Sequence, residues 1–207
     1  MTTIRRLTDS CVLVTTDSAA TLFDPGFHTF DAVDLETIGD VTRLFITHEH
    51  GDHVKPEFVR WLVDRKADIV VHTNDPVVQL LAGHGITATS DVPADTTVED
   101  VLHEPLPTGA TPPNRSFTIG DVFTHPGDSQ QTTHTAPVMA LPLMAPWTSG
   151  TAAVAFARRI RPAQVIPIHD YFMSELGRTR VGGMLGGILA KDGIELIPLD
   201  WGDSYTV

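Results

Sequence analysis

The chain has 207 residues, 42% apolar and 19% charged, a length and balance that suit one globular domain over 1–207 and exclude wholesale disorder. Twenty-six acidic against 14 basic side chains leave a net charge of −12, which opposes any long nucleic-acid partner. The single cysteine, Cys11, excludes a disulfide framework and a zinc ribbon, and no apolar run is long enough for a signal peptide or a membrane span, so a soluble, cytoplasmic protein without a membrane partner is expected.

Residues 11–15 (CVLVT) and 21–24 (TLFD) read as strands joined by a hairpin-like connection containing Asp17 and Ser18, and residues 43–47 (RLFIT) as a third strand. A helix is expected over 56–66, because Phe58, Val59, Leu62 and Val63 share one face and Pro56 suits a first turn. Residues 68–72 (DIVVH) have the pattern of a buried strand, and 76–82 that of a helix closed by Gly83. Short strands follow at 98–103, 117–119 and 122–125, the last two joined by a Gly120-Asp121 turn, and an apolar run at 138–143 continues through Pro142. Residues 151–160 form a helix with Arg158 and Arg159 at its end, where cations suit the dipole. A strand at 165–168, a glycine-weakened helix from 174 to about 190 and a strand at 194–197 complete the chain. The order lacks both the regular alternation of a barrel and a Rossmann glycine fingerprint. It fits a mixed α/β sandwich with helices outside.

The sharpest feature is Thr47-His48-Glu49-His50-Gly51-Asp52-His53, on the loop between a strand and a helix. His48 and His50, two apart in an extended segment, point the same way. Gly51 permits a turn that lets Asp52 and His53 face a neighbouring position. Such a set of imidazoles and a carboxylate suits zinc, manganese or iron. Six consecutive residues cannot close two metal sites, so further ligands are expected at strand ends, where loops at one sheet edge converge. His103 ends VEDVLH, Asp128 follows VFTH, and His169 ends VIPIH; Asp24, ending TLFD before Pro25-Gly26, sits at a similar edge as a supporting carboxylate.

Asp24-Pro25-Gly26, the 48–53 motif, then His103, Asp128 and His169 in this order and spacing resemble the metallo-β-lactamase superfamily. The stretches HPGDS (125–129), LPLMAPW (141–147) and VIPIHD (165–170) are most similar to small bacterial metal-dependent hydrolases akin to ascorbate-6-phosphate lactonase. The resemblance implies a four-layer αββα sandwich with a two-metal site on one edge. It implies that His48, His50 and His103 hold one ion, that Asp52, His53 and His169 hold the other, and that Asp128 bridges them. Asp52 and Asp128 are then the catalytic carboxylates, and two divalent ions the cofactors, Zn2+ first and Mn2+ or Fe2+ after it.

Two such ions lower the pKa of a shared water toward neutrality, so the expected chemistry is hydrolysis of a small metabolite ester or lactone by metal-bound hydroxide. A metal-dependent phosphodiesterase is the alternative enzyme, and a metal-binding sensor or scaffold the alternative without turnover. His125, His134 and Tyr171 are candidates for leaving-group protonation, each equally readable as structural. His134 falls among polar residues (QQTTHT) that read as a flexible loop. Lys55 and Arg115 are candidates for binding a substrate anion, or else solvated surface charges. Trp147 is readable as a pocket wall or as core, and Asp170 as an outer carboxylate orienting an imidazole or as a helix N-cap. His28, His72 and His84 read as structural or surface residues. Oligomeric state is open, a homo-oligomer included.

Overall fold

The computed structural model describes Met1–Val207, and its strands form two six-stranded mixed sheets. One belongs to a unit of residues 1–94 and 200–207, the other to a unit of residues 95–199. In the first unit β1 (Thr3–Thr8), β2 (Cys11–Thr15) and β3 (Ala20–Phe23) run antiparallel in turn. Thr16 closes the β2–β3 turn, its N–H donating to the Ala19 carbonyl at 2.8 Å. The strands β4 (Arg43–Phe45) and β5 (Val70–His72) then continue parallel to β3. That shared direction brings the residues after β3, β4 and β5, namely Asp24, Thr47 and Asn74, to one edge of the sheet.

Alternate strand residues of this sheet, among them Leu7, Leu13, Leu22, Leu44 and Val71, pack with Phe58, Val59 and Leu62 of α2 (Pro56–Arg65) and Val77 and Leu81 of α3 (Asp75–Gly83). The period-two and period-3.6 patterns therefore meet in one core. Cys11 belongs to it; burial pushes its thiol well above the ordinary range, which keeps it protonated and inert. A short helix, α1 (Phe27–Ala32), and the strand β12 (Ser204–Thr206), which pairs with β1, have no counterpart in the expected elements. Neither has β1. Its sequence, TIRRLT, carries two arginines, yet Arg6 is 2% exposed.

The second unit runs β6 (Thr96–Leu102), β7 (Pro113–Ile119) and β8 (Phe123–His125) antiparallel. The strands β9 (Val138–Pro142), β10 (Gln164–Ile168) and β11 (Glu195–Leu196) follow parallel to β8. Two reversals between β6 and β8 leave β6 pointing the same way as β8, β9 and β10. Consequently His103, the 126–129 turn, Leu143 and His169 all leave the sheet at the same edge. The helices α4 (Gly150–Ile160) and α5 (Glu175–Leu189) cover one face, where Ala153, Phe156, Ala157, Leu185 and Leu189 pack on Met139, Leu141, Leu143 and Val165. The strand expected at 117–119 begins four residues earlier, at Pro113, and the one expected at 194–197 is only two residues long. No helix of the chain is long and apolar enough to cross a membrane.

Candidate metal centre

In the first unit the loop after β4 folds back on itself, with the amides of His53 and Val54 donating to the His50 carbonyl at 2.9 Å each. This brings Nε2 of His48 and Nδ1 of His50 within 2.9 Å and the rings of His48 and His53 to 4.0 Å. Asp24 organises the loop from beneath. One carboxylate oxygen accepts the Thr47 N–H at 2.8 Å; the other takes the Thr47 hydroxyl at 2.9 Å and lies 2.7 Å from His53 Nδ1. A carboxylate only accepts, so the His53 proton sits on Nδ1 and the Nε2 lone pair faces outward, toward Asp52 Oδ2 at 3.9 Å. Both residues of the His53–Asp24 pair are fully buried.

Three further groups hold this loop, and of these only Gly26 is marked in the sequence, as part of Asp24-Pro25-Gly26. The Ser10 hydroxyl donates to the Asp52 carbonyl at 3.0 Å, and Asn74 Nδ2 to the Thr47 carbonyl at 3.1 Å. Gly26 lies so close beneath that a Cβ there would stand 1.8 Å from the Asp52 carbonyl oxygen, which explains a glycine after Asp24-Pro25. Gly51, by contrast, is not in the left-handed region; the Phe27 ring packs against it, and a Cβ there would meet that ring at 3.1 Å.

In the second unit His103, Asp128 and His169 form one buried cluster. His103 Nε2 is 3.1 Å from Asp128 Oδ2, and His169 Nε2 is 2.7 Å from Asp128 Oδ1. His103 Nδ1 donates to the Glu104 carbonyl at 2.5 Å, which again directs the Nε2 lone pair to the cluster. Asp128 is held by its main chain: its N–H donates to Asn114 Oδ1 at 3.0 Å, and its carbonyl accepts the Glu104 N–H at 2.8 Å. Asn114 Nδ2 also donates to the Pro126 carbonyl at 2.8 Å, so one amide spans the turn. Asn114 was hidden in sequence because PNRS does not look like a strand. Its partners Pro126 and Asp128 belong to another element.

The remaining expected residues divide by unit. His125 is fully buried, and its Nδ1 accepts the Gly127 N–H at 3.2 Å inside the turn that carries Asp128. Half-buried Trp147 stands edge-on to both imidazoles of the Asp128 cluster, 5.3 Å from His103 and 5.5 Å from His169. Asp170 is buried but does not cap α5; that place belongs to Ser174, whose hydroxyl accepts the Gly177 N–H. Lys55 lies 3.9 Å from Glu57 and 5.2 Å from the centroid of Phe30, while Arg115 pairs with Asp100 at 2.8 Å.

His134 lies on a segment that is pinned, contrary to the flexible loop its composition suggests. Glu99 accepts the amides of Thr133 and His134, both at 2.9 Å, and the Thr133 hydroxyl, while Arg159 donates to the carbonyls of Gln130 and Thr132. Burial works to raise the Glu99 pKa, but the hydrogen bonds from Thr133 and His134 outweigh it and hold the carboxyl below its ordinary value. A group depressed on folding contributes stability above its unfolded pKa, and that stability is lost as the pH falls through the folded value. Glu99→Gln should therefore melt below the wild type at neutral pH, with the gap closing below the ordinary glutamate range of about pH 4–4.5. Melting curves of both proteins across that range check this; a gap that widened in acid would contradict the clamp.

A sequence profile described as the metallo-β-lactamase superfamily matches residues 5–138, more than half of the chain. The chain belongs to that superfamily and has its fold; as a member it is a metal-dependent hydrolase. Its relatives include Protein Rv0786c of Mycobacterium tuberculosis, 28% identical over 199 residues that span 88% of this chain and 91% of that one. Among solved structures, one from Parabacteroides distasonis described as a metal-dependent hydrolase shares 21% identity at a TM-score of 0.74, covering 95% of this chain and 91% of its own. Igni18, a metallo hydrolase of the archaeon Ignicoccus hospitalis, shares 14% identity at the same TM-score of 0.74, over 99% and 97%.

Proposed function

We propose that the chain is a dinuclear hydrolase of a small metabolite ester or lactone. His48, His50 and His103 serve one ion, Asp52, His53 and His169 the other, and Asp128 serves both. The observation that carries this is the state of the imidazoles. In each unit a histidine has its Nδ1 hydrogen taken by an acceptor, Asp24 for His53 and Glu104 for His103, so Nε2 is kept as a ligand atom. Buried imidazoles brought within hydrogen-bond distance of one another and of a carboxylate have the donor chemistry of a metal set; without a cation the carboxylate charge is costly to bury. Zinc suits such mixed nitrogen and oxygen ligation, and manganese and iron are accommodated by the same donors.

Divalent ions held there would supply Lewis acidity, acidifying water and polarising the oxygen under attack. The chain's own residues do the rest. Asp24 and Glu104 orient imidazoles, Asn114 and His125 hold the Asp128 turn, and Trp147 gives the cluster an apolar wall beside which a substrate is desolvated. Lys55, two residues after the 48–53 motif and only loosely held by Glu57 at 3.9 Å, would serve an anionic group on the substrate.

Protein purified without chelator should carry close to two transition-metal ions per chain by elemental analysis; saturation at one under metal excess would count against the paired site. The loaded protein is then offered lactones and aryl esters, p-nitrophenyl phosphodiesters and β-lactams. Turnover of the first group is expected. Turnover of phosphodiesters alone would make the chain a phosphodiesterase, and silence on all with both ions bound would make it a sensor or scaffold.

A further inference from the structure

We propose that the cleft between α4 and α5 receives an unbranched apolar chain of the substrate, so that the enzyme's ester is an amphipathic one. The inference rests on the hydrolase reading above. The cleft has a volume of about 800 Å3, within the range of roughly 300–1,000 Å3 usual for small-molecule sites. Its walls are apolar: Val154 and Ala155 on one helix, Val181, Leu185 and Ile188 on the other, with Met144 and Met184 also lining it. Met144 and Met184 are 39% and 57% exposed, and flexible thioethers at a rim adapt to chains of varied shape.

Position ties the cleft to the chemistry. Met144 lines it and donates its N–H to the carbonyl of His169 at 3.0 Å, so cleft wall and cluster share a main-chain bond. Trp147, edge-on to His103 and His169, stands two residues before Ser149, which caps α4 and also lines the cleft. At the far end Arg158 is paired with Asp192 at 2.8 Å, so the apolar channel stops at an ion pair and not at an unsatisfied charge. From Gly150 to Arg158 the helix advances about 12 Å, which sets the accommodated chain at roughly eight to ten carbons. The cleft is an open groove of eleven lining residues along two helices, a size that suits such a chain and not a second protein copy. A stable protein interface needs about 800 Å2 per partner, presented broadly and not as a slot between two helices.

The test uses the metal-loaded full chain with hexanoate, octanoate and decanoate as calorimetric probes, and p-nitrophenyl esters from acetate to decanoate as substrates. Affinity should rise by roughly fourfold per methylene up to the length the cleft holds, and kcat/KM should follow chain length. Ala155→Trp, at an exposed position on α4, should fill the slot, weaken decanoate at least tenfold and flatten the chain-length dependence. Met184→Glu, also exposed, should weaken decanoate by opposing its burial and guards against disturbance of α4 by the tryptophan. Chain-length indifference in the wild type, or decanoate affinity untouched by both variants, would overturn the proposal. So would a wild-type dimer in sedimentation that Ala155→Trp dissociates, since a second copy would then be the occupant. Cleft-dependent decanoate binding without turnover of any of these carboxylic esters would refute the ester-hydrolase reading while leaving the apolar site standing.

Discussion

Asp128→Asn should reduce metal occupancy and turnover together while leaving the melting temperature of the metal-free protein nearly unchanged. Asp128 faces two imidazole nitrogens, one on each oxygen, at 3.1 and 2.7 Å. An amide keeps the shape and one acceptor, but it removes the charge and turns the other position into a donor aimed at a nitrogen lone pair. Losing an outer-shell partner typically costs 10–100-fold in metal affinity, so losing the shared carboxylate should exceed about 100-fold. Turnover should fall by about 10²–10³ or more, the scale seen when one preorganised electrostatic group is removed. The main-chain clamp by Asn114 and Glu104 does not depend on the carboxylate, which is why the fold should tolerate the change. Titration with zinc, activity on the best substrate and melting of the metal-free protein measure the three quantities. Intact turnover would sink the bridging role, and an equal loss of metal-free stability would make Asp128 structural.

Asp24 carries the opposite balance, with stability as the larger effect. Its two oxygens serve the Thr47 amide, the Thr47 hydroxyl and His53, all buried. Asp24→Ala strands those three buried donors, and each buried group left unsatisfied costs about 1–3 kcal/mol. Asp24→Asn isolates the charge, because asparagine tolerates the left-handed backbone at this position, where φ is 48°. It should cost about 1–3 kcal/mol, since one carbonyl oxygen cannot satisfy every donor. Both variants should also weaken metal binding by about 10–100-fold through misorientation of His53. Urea denaturation and zinc titration read the two effects separately. Both variants unfolding within about 0.5 kcal/mol of wild type would show that Asp24 does not hold the loop.

How much of this was legible in the sequence depended on whether a residue's partners were near it or its pattern was apolar. The helices α2 and α4 were readable because their apolar residues repeat at the helical period, and the strands β2, β9 and β10 because each is a short, nearly continuous apolar run. The pairing of β12 with β1 was not, since Thr206 meets Thr3 across almost the whole chain and nothing local marks it. The first half of β7 was missed for another reason. Asn114, Arg115 and Ser116 are buried and polar, Asn114 bonded to the Asp128 turn and Arg115 to Asp100, and a hydropathy pattern cannot register that.

The site shows the same division. The four residues of the 48–53 motif lie within one loop, and the ends of strands pointed to His103, Asp128 and His169. The groups that hold them, Ser10, Asn74 and Asn114, are common polar residues at unremarkable spacings; only their bonds mark them. His134 illustrates the converse error. Polar composition was read as looseness, whereas Glu99 and Arg159 use those polar groups to fasten the segment.

Two of the four non-glycine residues with left-handed backbone, Asp24 and His169, stand where a strand ends at a donor set, with φ of 48° and 55°. For a side chain with a Cβ that conformation costs about 1–2 kcal/mol, and glycine would relieve it at either place. At Asp24 the buried donors that the carboxylate serves outweigh that strain, so stability itself retains the aspartate. At His169 selection for robustness alone would favour glycine, and selection for chemistry forbids it. A lineage freed from its catalytic duty should lose His169 early and grow sturdier as it does so, while Asp24 and the glycine beneath Asp52, which no side chain can replace, outlast it.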